Sequence, residues 1–482
     1  MTSEQENLCT DRVFHHFYQI CQIPHGSGNE QQLSNYLLSW AKNQGLEALQ
    51  DQHNNIFIRK PAYPGLESAP GVMLQAHMDM VCVKAIGVEH DFLKDPIDWV
   101  IEGNILSTGG KTTLGADDGI GVALAMAVLE DPKLQHPALE VLFTTNEEDD
   151  FSGAEGFDTS LIHSSYLINL DHTAAGELVC GSCGGMQVDF RLTEAEQPVP
   201  AGWGSYRLTV DGLKGGHSGE DIHRGRGNAN VLLGRLLMGM EECGDFLLAE
   251  IKGGSLRNAI AREAQAVVCI PPELIHMVRK QLIALEQDMQ HEFAVSGHQL
   301  KVTLEKTESV KQACSPANVA TALVLMPDGI FQMNELLTGL VDTSNNMGEV
   351  YFHHGELHTV HEIRSSQNSL GLYLFQCMKR LAKLLGGDCQ WCSPYPGWEF
   401  KPQSNLTKLC SNVYQELYGV MPQCFTIHAG LEVGCLFRGV DHMEAVSIGP
   451  NYWDYHAPTE SVDIISVKKV YHYLCNILAE IR

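Results

Sequence analysis

Apolar positions along the chain switch repeatedly between helical spacing and short unbroken runs. From Asn29 to Gly45, Leu33, Tyr36, Leu37, Trp40 and Ala41 recur at helical intervals behind a cap-like Gly-Asn-Glu. Asn54 to Lys60 and Gly71 to Val81 read as strands, the second so continuously apolar that it belongs inside a sheet. A helix then follows a glycine-rich turn over Asp117 to Asp131, with further buried strands at Leu139 to Thr145 and Tyr166 to Asp171. Strands alternating with helices predict an α/β sheet covered on both faces.

The texture changes near Pro198-Val199-Pro200-Ala201-Gly202. Strands from Ser205 to Ile270 flank a helix at Ala229 to Glu242, and helices at Pro272 to Phe293 and Ser315 to Met326 follow. Glu349 to Ile363 alternates like a hairpin, and Leu370 to Leu385 is amphipathic. After Ser393-Pro394-Tyr395-Pro396-Gly397 the chain ends in an amphipathic helix at Val467 to Ile481. The simplest organisation is a catalytic α/β domain, residues 1–195 and 393–482, interrupted by an inserted α+β domain, residues 196–392.

Composition narrows the function classes. The 482 residues carry 32 Lys and Arg against 59 Asp and Glu, a net charge of −27, which argues against nucleic acid and anionic membranes as partners. The longest apolar stretch, Ile120 to Leu129, is too short to span a bilayer, and the polar N-terminus predicts neither signal nor transit peptide. An odd 15 cysteines point to reduced thiols and a cytoplasmic location. Two Cys-x-x-Cys pairs, Cys180/Cys183 and Cys389/Cys392, lie too far apart for a zinc ribbon.

Five segments carry candidate chemistry. In Gln75-Ala76-His77-Met78-Asp79-Met80-Val81 the i, i+2 spacing on a strand puts His77 and Asp79 on one face, and a His ligand often gives its second N–H to a carboxylate. Gly115-Ala116-Asp117-Asp118-Gly119 sets Asp117 at a strand-to-helix turn, where a helix cap is the ordinary role. Glu147-Glu148-Asp149-Asp150 follows a buried strand; a solvated loop is the ordinary reading, but the carboxyl end of such a strand is where open-sheet enzymes hold ligands. Asp171 ends another apolar strand, and His456-Ala457-Pro458-Thr459-Glu460 forms a loop before the last helix. Singly each is ambiguous. Together, two His and several carboxylates at strand ends match the donors of a two-metal hydrolytic site, with Asp117 the natural bridge and one of Glu147 and Glu148 the natural base.

These segments, in this order, resemble the co-catalytic dizinc peptidase family that includes carboxypeptidase G, the aminoacylases and the carnosinase-type dipeptidases. Within it they are nearest to the dipeptidases acting on Xaa-His. The match continues outside the ligands through Gly215-Gly216-His217-Ser218-Gly219, Gly227-Asn228-Ala229-Asn230, Ser255-Leu256-Arg257-Asn258-Ala259, Tyr395-Pro396-Gly397-Trp398 and His428-Ala429-Gly430-Leu431-Glu432. It covers essentially the whole chain.

The resemblance implies a two-zinc exopeptidase-like fold with an inserted lid and dimerisation domain. It implies two divalent ions per subunit, zinc with cobalt or manganese able to substitute. His77 and Asp171 would complete one ion and Glu148 and His456 the other, with Asp117 bridging. Glu147 would act as general base on a metal-bridged water and Asp79 would orient His77. His217 would stabilise the oxyanion, from the same or a partner subunit, although a plain turn is the ordinary role of such a loop. Asn258 and Arg364 would grip the substrate, with a surface ion pair the alternative for Arg364. The implied activity is hydrolysis of unblocked L-dipeptides, of Xaa-His type and broader, by a cytoplasmic homodimer. An N-acyl amino-acid deacylase of the same fold, a non-catalytic metal-binding protein and a two-metal phosphohydrolase remain as alternatives. Asp118 departs from the subgroup, which commonly has Asn there, and predicts an added charge beside the bridge.

Overall fold

The computed structural model describes residues 1–482 apart from His298, Leu336, Thr338 and Asp441. The chain forms two compact units. Met1–Gly181, Trp398–Thr426 and Leu431–Arg482 make the first, and Ser182–Gly397 with Ile427–Gly430 the second.

At the centre of the first unit, strands Leu139–Thr144, Val72–His77, Tyr166–Asn169 and Glu444–Ser447 lie side by side and parallel. Their apolar runs are buried along nearly their whole length, as interior parallel strands must be. Ile56–Lys60 and Glu47–Gln50 extend one side of this core antiparallel, while Glu177–Ser182 and Gln423–Ile427 extend the other. The register sets His77 beside Thr144, and Asn169 beside both Gln75 and Ser447. All four parallel strands therefore finish at one edge, the end where open α/β sheets keep their chemistry.

The helix Ala116–Glu130 packs against Val72–His77 and against the helix Arg12–Cys21. Residues 116–129 are buried on every side, so this helix has no polar face and serves as a core element. A small antiparallel sheet joins Val100–Glu102, Ile105–Ser107, Ser461–Asp463 and Tyr452–Trp453. The loop between its last two strands carries His456.

The second unit is built on an antiparallel sheet with a core of its own. Its strands run Lys301–Lys306, Gly204–Asp211, Ala264–Ile270, Leu247–Gly253, Val341–His353, Glu356–Ser365, Gly184–Thr193 and Asp388–Tyr395. Helices Ala229–Glu241 and Asn368–Leu384 pack against it. The strand Gly184–Thr193 bonds to Glu356–Ser365 and Asp388–Tyr395. For that reason the unit begins at Ser182 and runs to Gly397, and not from 196 to 392 as the change of texture suggested. Among the described residues no helix is long and apolar enough to cross a membrane.

Candidate metal centre

Every predicted metal donor lies in the first unit, at the shared edge of its parallel strands or in the loops beside it. His77 is the last residue of its strand and is buried. Its Nε2 lies 3.2 Å from Asp117 Oδ1 and 3.8 Å from Asp171 Oδ1. Asp117 sits at the start of the buried helix, where its peptide bond to Asp118 is cis. Its other oxygen, Oδ2, is 3.5 Å from His456 Nε2. His456 in turn stands 2.7 Å from Glu148 Oε1, an oxygen that is itself buried.

Three donor groups converge here, each with ligand atoms within 4.8 Å of one another: His77, Asp117 and Asp171; Asp117, Glu148 and His456; and His77, Glu147 and Glu148. The first two share Asp117. Two imidazoles and four carboxyl groups, mostly out of water, make an oxygen- and nitrogen-rich pocket suited to divalent first-row metals. Electrostatics agree with the donor chemistry. Burial disfavours a charged His77, yet Asp117 and Asp79 outweigh it and hold the ring's pKa well above the usual range. Burial likewise opposes charge on His456, but Asp117 and Glu148 raise it to about 10. Burial lifts Glu147 and Asp171 well above ordinary carboxylates, aided by neighbouring acids. Such a surplus of confined negative charge is what a pair of dications would neutralise. The residues fit the ions.

Asp79 stands beside His77 for a different reason from the expected one. The strand stops at His77, so the two are not alternate residues of one strand face. The chain turns instead, and His77 Nδ1 lies 3.0 Å from the Asp79 carbonyl and 3.5 Å from its Oδ1. The Asp79 carboxylate has further duties: it accepts the backbone N–H groups of Glu147 at 3.0 Å and Glu148 at 3.2 Å, and the Ser27 hydroxyl at 2.8 Å. One buried carboxylate thus fixes both the ligand ring and the acidic loop. Burial pushes its pKa up, but these donors and His77 hold it below the usual range.

Asp118 is buried beside the bridge. It points into the fold, where its carboxyl accepts the His77 N–H at 3.3 Å and the Gly121 N–H at 3.1 Å. Burial, chiefly, raises its pKa well above the carboxylate range, which favours the neutral form.

Residues 73–480 match the family described as Peptidase family M20/M25/M40. The chain belongs to this family. It is 38% identical to the cytosol non-specific dipeptidase of Escherichia coli, with 99% of each chain covered. It is also similar to the crystal structure of aminoacylhistidine dipeptidase from Vibrio alginolyticus, with a TM-score of 0.90 and 35% identity over 100% of this chain and 98% of that one. The M20 aminopeptidase PepT of Bacillus cereus shares the fold at a TM-score of 0.55 and 15% identity, covering 99% and 98%.

Beneath the centre runs a buried polar ladder that the motifs did not announce. Glu432 Oε2 accepts from Thr144 Oγ1 at 2.6 Å and Gln75 Nε2 at 2.7 Å; Gln75 Oε1 accepts from Asn169 Nδ2 at 2.6 Å, and Asn169 Oδ1 from the Ser447 hydroxyl. Each of the four parallel strands gives one member, so the edge carrying the donors is cross-braced below. Burial drives Glu432 up to about 7. Glu460, in the His456 loop, was the second omission. Its only signal was its place in His-Ala-Pro-Thr-Glu.

His217, Asn258 and Arg364 belong to the second unit. His217 Nδ1 accepts the N–H groups of Gly219 at 3.3 Å and Glu220 at 3.1 Å. Arg364 is buried, so it is no surface pair. Its Nη1 donates to Tyr395 Oη at 2.9 Å and its Nε to Ser218 Oγ at 3.2 Å. Its Nη2 lies 3.4 Å from His217 Nε2. Asn258 is exposed, and its carbonyl accepts the Ser218 N–H at 2.8 Å.

Proposed function

We propose that the chain is a metal-dependent dipeptidase that hydrolyses unblocked L-dipeptides, Xaa-His among them. We further propose that it works in the cytoplasm as a homodimer with two divalent ions per subunit. Zinc is the ion proposed, with cobalt or manganese able to replace it. The observation that carries this reading is the pair of donor triads joined through Asp117, with Glu147 beside them. The full-length similarity to a cytosol non-specific dipeptidase supports dipeptides over N-acyl amino acids as substrates.

In this reading His77 and Asp171 would hold one ion and Glu148 and His456 the other, with Asp117 the donor shared by both sets. When bound, the two ions polarise the scissile carbonyl and lower the pKa of water toward about 7. Glu147 takes a proton from the attacking water as its oxygen joins the carbonyl carbon. It then gives that proton to the amine nitrogen as the C–N bond breaks. Asp79 keeps Glu147 and Glu148 in register by holding their backbone N–H groups. His217, from this or a partner subunit, would stabilise the developing oxyanion. The Arg364 guanidinium supplies a fork for the substrate carboxylate, and Asn258 a further polar contact.

A chelator should abolish hydrolysis of Gly-His and β-Ala-His, and added Zn²⁺, Co²⁺ or Mn²⁺ should restore it. Turnover that survives chelation overturns the mechanism. Faster cleavage of N-acetylated than of unblocked substrates assigns the chain to the deacylases instead.

A further inference from the structure

The loop that presents His456 is weakly held by burial. The His456 side chain is 45% exposed, and both Asp454 and His456 take left-handed backbone angles, φ 52° and 64°. Four residues beyond His456, Glu460 is only 2% exposed. Its carboxylate accepts four successive backbone N–H groups from the turn bearing Asp117. Oε2 receives Leu114 at 2.6 Å and Gly115 at 3.1 Å; Oε1 receives Ala116 at 2.8 Å and Asp117 at 3.4 Å. That turn opens the helix Ala116–Glu130 at Gly115, which has no side chain with which to cap it. The cap therefore comes from 343 to 346 residues away in sequence.

We propose that Glu460 is a positioning residue of the metal centre, tying the Asp117 turn to the His456 loop so that both donors are set before a cation arrives. The proposal rests on reading Asp117 and His456 as ligands. A carboxylate that only capped a helix would need no link to a ligand loop. This one spans the two segments whose donors stand 3.5 Å apart. Losing its charge loosens four bonds together and lets the two donors drift relative to each other. The cost then falls on metal affinity.

The test uses the full chain stripped of metal and titrated with Zn²⁺ against a chromophoric chelator, comparing wild type, Glu460→Gln, Glu460→Asp and Asp117→Asn. Glu460→Gln, folded by circular dichroism, should bind Zn²⁺ about 10–100-fold more weakly, the usual cost of removing a partner that orients a ligand. Its activity should fall at limiting metal and recover with excess. Glu460→Asp, which keeps the charge, should lie between it and wild type. If Glu460→Gln fails to fold, the aspartate variant decides by the same measurement. Wild-type Zn²⁺ affinity in a folded variant, even with a lowered Tm, overturns the proposal. Undiminished binding by Asp117→Asn overturns the ligand assignment itself, and the proposal with it.

Discussion

Glu147 and Glu148 are adjacent in sequence and alike in chemistry, yet their surroundings give them different work. Both stand with His77 in one donor group, but only Glu148 also faces His456, at 2.7 Å. Asp79 orients the loop that carries them by accepting both backbone N–H groups. Glu147→Gln should therefore retain both metals and lose about 10²–10⁴-fold in kcat, the usual worth of a positioned base. Metal content by mass spectrometry and steady-state kinetics on Gly-His check this together; near-wild-type kcat removes Glu147 from the role. The donors were legible in the sequence because each sits beside a local signal, a glycine turn or the end of an apolar run. Glu432 and Glu460 were not. Their partners lie as far as 357 and 346 residues away, and a carboxylate that serves Gln75 or a backbone N–H leaves no spacing to recognise.

The helix Ala116–Glu130 does two jobs that compete for space. It fills the core on all sides and begins with the residue proposed to bridge the ions. Small residues make this workable. A Cβ on Gly121 would overlap the Asp118 carboxyl, which holds the His77 N–H from behind. Gly121→Ala should thus destabilise the protein by about 1–3 kcal/mol, as overpacking does, despite alanine's better helix propensity. Thermal melts decide the sign, and an unchanged or higher Tm shows that Asp118 yields without cost. Element identity was largely visible from periodicity: the predicted helix at Ala229 to Glu242 is observed as Ala229–Glu241. What periodicity does not encode is which sheet a strand joins. Gly184–Thr193 precedes the change of texture and falls within residues 1–195, and only its pairing with Glu356–Ser365 assigns it to the second sheet.

At the scale of the whole molecule, buried histidines tie stability to pH. In the second unit burial drives His361 and His428 down to about 3. An unfolded histidine titrates near 6.5. As pH falls from about 6.5 toward 3 the unfolded chain gains protons that the folded one refuses, so stability is lost across that window. Buried carboxyls work in the opposite direction over part of the range: Asp328, raised by burial to about 6, and Glu432 and Glu460, raised to about 7. Replacing His361 removes one such loss, so between pH 7.5 and pH 5 the Tm of metal-free His361→Gln should shift less toward instability than that of the wild-type chain. Equal slopes for the two proteins would exclude His361 as a source.

The place of Glu444–Ser447 in the first sheet bears on how the protein is made. This strand lies between Tyr166–Asn169 and Glu177–Ser182, and ends with Ser447 closing the polar ladder. A ribosome releases its neighbours more than two hundred residues before it emerges, and His456 appears later still. A nascent chain therefore holds a sheet with a missing interior strand and a donor cluster short of His456. Catalytic competence arrives with the return of the C-terminal segment to the first unit. A peptide-cleaving enzyme built in this order stays inert throughout its own translation.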